Sequence, residues 1–355
     1  MIKFAIIGAG WRSEFFARVA RELPDRFQMT GLLSRSREKA DSFGQTWHVS
    51  VATSLDELLT VQPDFALVSV PWGVGEELVI ELSRRGVPVL YETPPSPTLE
   101  GLRALHEALK SLPAKVQVAE QYHLQPLHAA RLEAIKQGWI GTPNFARVSV
   151  AHGYHGISLL RRFLGIGFEL PTITARHFKS PLINGPGRDG PPQEEKTIES
   201  DQLLATFDWG EKLGSFDFCG DQYFSWVRGQ DLLVRGERGE VHNEEIRLLQ
   251  DYQTPLKIIL QRETAGANGN LEGFYLKGLT ARGQWLYQNP FMPARLSDDE
   301  IACAACLQGM KTYLETGKDF YSLAEAMHDR YLDILMDEAA QKGEAMRAEF
   351  QPWMI

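Results

Sequence analysis

The sequence predicts an α/β chain: a doubly wound parallel sheet, then an α+β domain built on a mainly antiparallel sheet. Three observations predict it. Residues 1–120 alternate short apolar runs with helical segments. Those runs do not alternate polar with apolar positions, as expected of strands covered on both faces. After residue 120 the pattern changes, and residues 200–262 read as strands joined by tight turns before two closing helices. A chain of 355 residues exceeds one ordinary core, so two domains are expected, 1–120 and 121–355.

The elements follow in order. "KFAIIG" (3–8), "QMTGLL" (28–33), "DFALVSV" (64–70), "VPVLYE" (87–92) and "KVQVAE" (115–120) are strands. Helical segments such as "SEFFARVARELP", "GEELVIELSRRG" and "LEGLRALHEALKS" separate them. In the second half, "HLQPLHAARLEAIKQGW" reads as a helix, "GTPNFARVSVAH" as turn and strand, and "GISLLRRFLG" as a short amphipathic helix. The turn-rich "DWGEK" and "RGERGE" mark hairpins. Residues 298–316 and 322–341 are the closing helices. The Gly/Pro-rich stretch 179–196 is either a surface excursion or a lid over a pocket.

Composition excludes several functions. Lys and Arg number 37 against 46 Asp and Glu, a net charge of −9. That balance speaks against a broad nucleic-acid face, which needs clustered cations. The apolar runs are strand-length, so no membrane partner is expected. The opening "MIKFAIIGAG" lacks a signal peptide's apolar region. Three cysteines, Cys219, Cys303 and Cys306, suit a reducing cytoplasm. Cys303 and Cys306 form a C-x-x-C within a helical pattern, with no second Cys or His pair nearby, and read as packing residues; no metal site is expected.

"IIGAGWRSEFF" places Gly8, Gly10 and Ser13 between a strand and a helix. Gly8 allows a tight turn, Gly10 lets backbone approach a pyrophosphate, and Ser13 is small enough for close helix–strand packing. With Trp11 and Arg12 they form a candidate dinucleotide-binding turn at a helix N-terminus. At the end of the second strand, where an NAD-selective site usually carries an acid, stand Ser34, Arg35 and Ser36. Arg35 would pair with a 2′-phosphate and tolerates its absence, so NADP is favoured and NAD remains possible.

Four motifs in order, "GAGWRS", "PDFALVSVPWGVGEEL", "VLYETPPSP" and "GYHGISLLRRFLG", together with the ending "FYSLAEAMHDRYLDILMDEA", resemble the glucose–fructose oxidoreductase / inositol dehydrogenase (Gfo/Idh/MocA) family. The resemblance implies a Rossmann domain followed by an α+β domain with an open, mostly antiparallel sheet. It implies an NAD(P)-dependent oxidoreductase on a sugar-like, polyol or small carbonyl substrate, working as a homodimer or homotetramer. It also implies a lysine in a Glu-Lys-Pro turn and an Asp-x-x-x-His pair. Here Glu92 and Pro94 match the turn, but the lysine position is Thr93. His155 matches the histidine, while the aspartate position is Ala151 and the position after the histidine that often holds an acid is Ser158.

Hydride transfer needs a partner group that moves a proton. Threonine is a weak acid and base, which leaves His155 as the titratable candidate and Thr93 as a hydrogen-bonding positioner. Tyr122 and His123 follow a strand at the ligand-binding edge, where either could serve as a second acid or as a wall residue. Strand alternation would point His152 and Tyr154 one way and His155 the other. Pro71 and Trp72 would border the nicotinamide ribose, Glu92 would be structural or contact the nicotinamide end, and Thr93-Pro94 is a candidate cis peptide. Two alternatives stay open: a redox-cycling lyase or glycosidase with tightly held cofactor, and a catalytically degenerate NADP-binding regulator.

Overall fold

The computed structural model describes residues 1–266, 268 and 271–354. The first sheet is parallel, with strands β1 (Ile2–Ile7), β2 (Phe27–Leu33), β3 (Val51–Ala52), β4 (Phe65–Val68), β5 (Val89–Tyr91) and β6 (Val116–Val118) in the order β3-β2-β1-β4-β5-β6. Helices α1 (Trp11–Glu22), α2 (Arg37–Trp47), α3 (Leu55–Leu59), α4 (Gly75–Arg84) and α5 (Leu99–Lys110) make the crossovers. The order reverses between β1 and β4, and that switch point opens a crevice at the strands' C-terminal ends.

Both faces of this sheet are buried, as the apolar runs require. Phe4, Ile6, Phe65 and Leu67 face one core, with Phe16 of α1. Ala5, Ile7, Ala66 and Val68 face the other, with Val79 of α4 and Leu102 of α5. The first core is completed from the far end of the chain. Helix α8 (Asp298–Thr316) brings Ile301, Cys303, Cys306, Leu307 and Met310 onto the α1 side. Both cysteines are thus packing residues inside a helix, and all three cysteines are free. Each fully buried side chain of this size contributes about 1.5–3 kcal/mol relative to exposure.

The second half begins with α6 (Pro126–Lys136), β7 (Pro143–Ser149) and α7 (Gly153–Leu164). Strands β8 (Thr172–Ile183), β9 (Thr197–Asp208), β10 (Leu213–Cys219), β11 (Asp231–Gly236), β12 (Gly239–His242), β13 (Glu245–Asp251) and β14 (Thr254–Ile259) follow. The nine-stranded sheet runs β14-β13-β12-β11-β7-β10-β9-β8 and ends on a short strand near the C-terminus, Met346–Arg347. It is antiparallel except between β7 and β10, which pair in parallel. After β7 its strands resume at Thr172, before the region where hairpin turns announced them, because β8 and β9 are long and joined by a long loop rather than a tight turn. That loop is 184–196, since residues 179–183 extend β8. A separate three-stranded sheet, β15 (Gln261–Thr264), β16 (Leu276–Ala281) and β17 (Gln284–Gln288), was not foreseen. The chain closes with α8 and α9 (Leu323–Lys342), each begun by a serine whose side chain accepts a backbone N–H. Among the described residues no helix is long and apolar enough to cross a membrane.

Candidate active site

The crevice encloses about 750 Å³ at the switch point. Its floor is the turn after β1. Gly8 adopts φ +115°, and a Cβ there would lie 1.8 Å from the Ser69 carbonyl oxygen, so only glycine fits. A Cβ on Gly10 would meet nothing within 4 Å, which leaves room for a ligand's phosphates to approach the backbone. Ser13 is fully buried, and its hydroxyl donates to the Gly8 carbonyl at 2.8 Å. Helix α1 starts without a side-chain cap, unlike α2, α3 and α5, so its first N–H groups face the crevice unblocked by its own side chains. These features fit a dinucleotide's diphosphate.

Ser34, Arg35 and Ser36 line the crevice beyond β2, joined by Lys39 and Ser54. Arg37 turns away to pair with Asp41. Pro71 also lines the crevice. Trp72 does not: it is 62% exposed, beneath the guanidinium of Arg330. Arg330 also donates to the carbonyls of Ser96 and Pro97, tying α9 to the turn that carries Thr93.

Arg12 and Glu92 line the crevice but are engaged with one another. Arg12 pairs with Glu92 at 3.0 Å and with Asp299 at the start of α8 at 2.7 Å. One guanidinium nitrogen of Arg12, Nη2, is buried without a partner. The Thr93-Pro94 peptide is cis, and Thr93 lines the crevice beside Glu92. Ala151 is fully buried, and Ser158 accepts a hydrogen bond from the Tyr321 hydroxyl within the core. Neither stands in for a missing acid.

The carboxylate near His155 comes from elsewhere. Glu120, just past β6, is fully buried, and its Oε2 lies 2.5 Å from His155 Nδ1. The backbone N–H of Tyr122 donates to its other oxygen at 3.2 Å. Burial pushes the Glu120 carboxyl up to about 8. Burial, reinforced by the positive charge of Arg12, lowers His155 to about 4. Both shifts have one cause: a low-dielectric site disfavours net charge on either group. Because Glu120 occupies Nδ1, Nε2 is the imidazole atom left for a substrate.

Three more side chains surround the pair. The Tyr122 ring lies 4.5 Å and the His152 ring 4.8 Å from the His155 ring, centroid to centroid. The His152 backbone N–H donates to the Tyr223 hydroxyl at 3.0 Å, and its Nδ1 lies 2.6 Å from the same oxygen. The Tyr122 hydroxyl reaches Tyr223 at 3.5 Å. His152 and His155 therefore share a side, and Tyr154 is buried in the core, contrary to the strand alternation expected there. The strand stops at Ser149, and His152 caps α7, so the spacing of three becomes one helical face. His123 is also buried, against the ring of Tyr321 and away from this cluster.

Glu120, Tyr223, Lys39 and Asp299 were not assigned roles from sequence. Glu120 carried a signal, because a carboxylate ending the apolar run "KVQVA" is costly to bury unless partnered. Tyr223 carried none. Among the described residues no cluster of His, Cys, Asp or Glu could hold a metal ion.

A dinucleotide crevice with a buried acid–base pair beside it defines a class, the NAD(P)-dependent oxidoreductases. Residues 2–120 match the model of the Gfo/Idh/MocA oxidoreductase family, NAD-binding Rossmann fold. Over those residues the chain is similar to that family. No curated protein matches the chain. Solved structures extend the likeness in fold to the whole chain. An oxidoreductase from Agrobacterium radiobacter in complex with NAD+, L-tartaric acid and magnesium is 14% identical, with 97% of this chain and 98% of that one covered and a TM-score of 0.68. Levoglucosan dehydrogenase in complex with NADH is 14% identical over 99% and 100% of the two chains, with a TM-score of 0.69. A myo-inositol dehydrogenase from Corynebacterium glutamicum is 16% identical over 99% and 100%, with a TM-score of 0.66.

Proposed function

We propose that the protein is an NADP-preferring oxidoreductase that moves hydride to or from a sugar-like, polyol or small carbonyl substrate, with His155 as the group that transfers the proton. The observation that carries this reading is the 2.5 Å contact between Glu120 and His155. It supplies an acid–base pair where Thr93 and Ala151 leave the family's usual one incomplete. Levoglucosan and inositol dehydrogenases among the similar structures support the substrate class. Arg35 and Lys39, with no carboxylate beside them in the crevice lining, support NADP, because a 2′-phosphate needs cations there.

When bound, the nicotinamide gives or takes the hydride. In reduction, His155 Nε2–H donates its proton to the developing alkoxide while the Glu120 proton shifts to Nδ1. The imidazole stays neutral throughout, and Glu120 ends as a carboxylate. Oxidation reverses each transfer: Nε2 takes the hydroxyl proton and Nδ1 returns its own to Glu120. Tyr122 and Tyr223 orient the substrate hydroxyl, and Thr93 offers a hydrogen bond from the crevice wall. We assign oligomer formation to the exposed face of the nine-stranded sheet, which sedimentation would test.

Two measurements test this reading together. The nucleotide released on denaturing the purified protein, identified by mass and absorbance, should be NADP(H). A panel of sugars, polyols and small carbonyls should yield NADPH turnover that falls about 10²–10⁴-fold in His155→Ala, with nucleotide binding intact. Wild-type turnover in that variant would remove His155 from the chemistry.

A further inference from the structure

The loop between β8 and β9 carries a cation that the acid–base chemistry does not use. Arg188 projects from residues 184–196, and its guanidinium carbon lies 4.1 Å from the centroid of the Trp11 ring. Trp11 opens α1 immediately after Gly10 and lines the dinucleotide crevice. A residue of the second half of the chain thus reaches the turn shaped for phosphates. The stack continues behind it: Phe15 meets Trp11 edge-on at 4.8 Å, and Arg18 lies 4.5 Å over Phe15. The base of the loop is held from the other side. A Cβ at Gly185 would come within 3.2 Å of the Ser225 Cα, two residues beyond Tyr223.

Charge separates Arg188 from its neighbours. Arg12 and Arg18 each pair with carboxylates, Arg12 with Glu92 and Asp299 and Arg18 with Glu300. Arg188 has no carboxylate partner among the described residues; it stacks on the Trp11 face. Stacking uses the flat face of a guanidinium and leaves its N–H fork free for an anion. The anion that this crevice is shaped to bring beside Trp11 is the dinucleotide diphosphate.

We propose that Arg188 is a dinucleotide-binding residue supplied by the second domain: stacked on Trp11, it pairs with the cofactor's diphosphate, and the 184–196 loop thereby slows nucleotide release. This rests on the dinucleotide reading of the crevice. The test is NADPH binding and release, followed by nucleotide fluorescence in equilibrium titration and stopped flow, at low and high salt. Wild type, Arg188→Ala and Arg188→Lys are compared after thermal melts establish equal folding. Arg188→Ala should weaken binding about tenfold or more, mostly through faster release, and flatten the salt dependence. Arg188→Lys should fall between, because it keeps the charge but loses the planar stack. Affinity and release in Arg188→Ala within about twofold of wild type would overturn the proposal and leave the dinucleotide reading standing. A wild-type protein that binds neither NADPH nor NADH would overturn both.

Discussion

The dinucleotide turn draws its shape from one stretch of chain, Gly8 to Ser13, whereas the cluster at His155 is gathered from three segments around Glu120, His152 and Tyr223. The turn works through backbone: a glycine that cannot carry a Cβ, and a helix start left uncapped. Such a device tolerates little change. The cluster is held through side chains whose partners are set by packing: the carboxylate beside His155 comes from the end of another strand. β6 lies next to β5 in the sheet, which puts Glu120 beside the turn holding Glu92 and Thr93.

Arg12 joins the two regions, since it belongs to the turn yet lowers His155 electrostatically. Replacing it should give the largest effect. Arg12→Met leaves the carboxylates of Glu92 and Asp299 without their shared cation and should cost about 3–5 kcal/mol, read from the urea midpoint. A loss below about 1 kcal/mol would mean that the two regions are not tied through this residue.

Glu120→Gln comes next and acts on one region alone. Turnover should drop about 100-fold, or about 2.7 kcal/mol of barrier, with NADPH affinity unchanged. In the wild type, oxidation should rise and reduction fall as pH passes about 8, because Glu120 must be a carboxylate to receive the proton and a carboxylic acid to supply it. The variant should lose both limbs. Stability follows the same group. Its folded pKa lies above the ordinary carboxylate value, so its contribution is complete below about 4.5 and lost as pH rises through about 8. Melting temperatures across that window should fall less steeply in Glu120→Gln. Parallel curves for the two proteins would show that Glu120 does not titrate there.

Arg35→Glu should weaken NADPH about tenfold by placing a carboxylate against the 2′-phosphate, while NADH binding holds or improves. Equal losses for both nucleotides would move the 2′-phosphate contact elsewhere, with Lys39 the next residue to change. Tyr223→Phe should have the smallest effect, about fivefold on turnover, the loss of one hydrogen-bonding hydroxyl next to His152.

The phosphate turn, the strand–helix alternation and the closing helices were legible because each rests on local rules, such as strand apolarity and the steric demand for Gly8. His155 stood out through its motif, but the groups around it did not. Reading "VAHGYHG" as strand set His152 against His155, and one helix cap at residue 152 reversed that. The 179–196 stretch suggested a lid, but its contact with Trp11 lies between segments far apart in the chain.

By itself, then, the sequence determined the fold class and the dinucleotide turn, both of them properties of short windows. Only the tertiary structure decided that α8 returns to complete the first core, that Arg12 is committed to Glu92 and Asp299, and that Glu120 faces His155. The physical reason is burial. A carboxyl group and an imidazole acquire their shifted pKa values here from the low-dielectric space they share, and that space is made by chain segments that sequence order does not bring together.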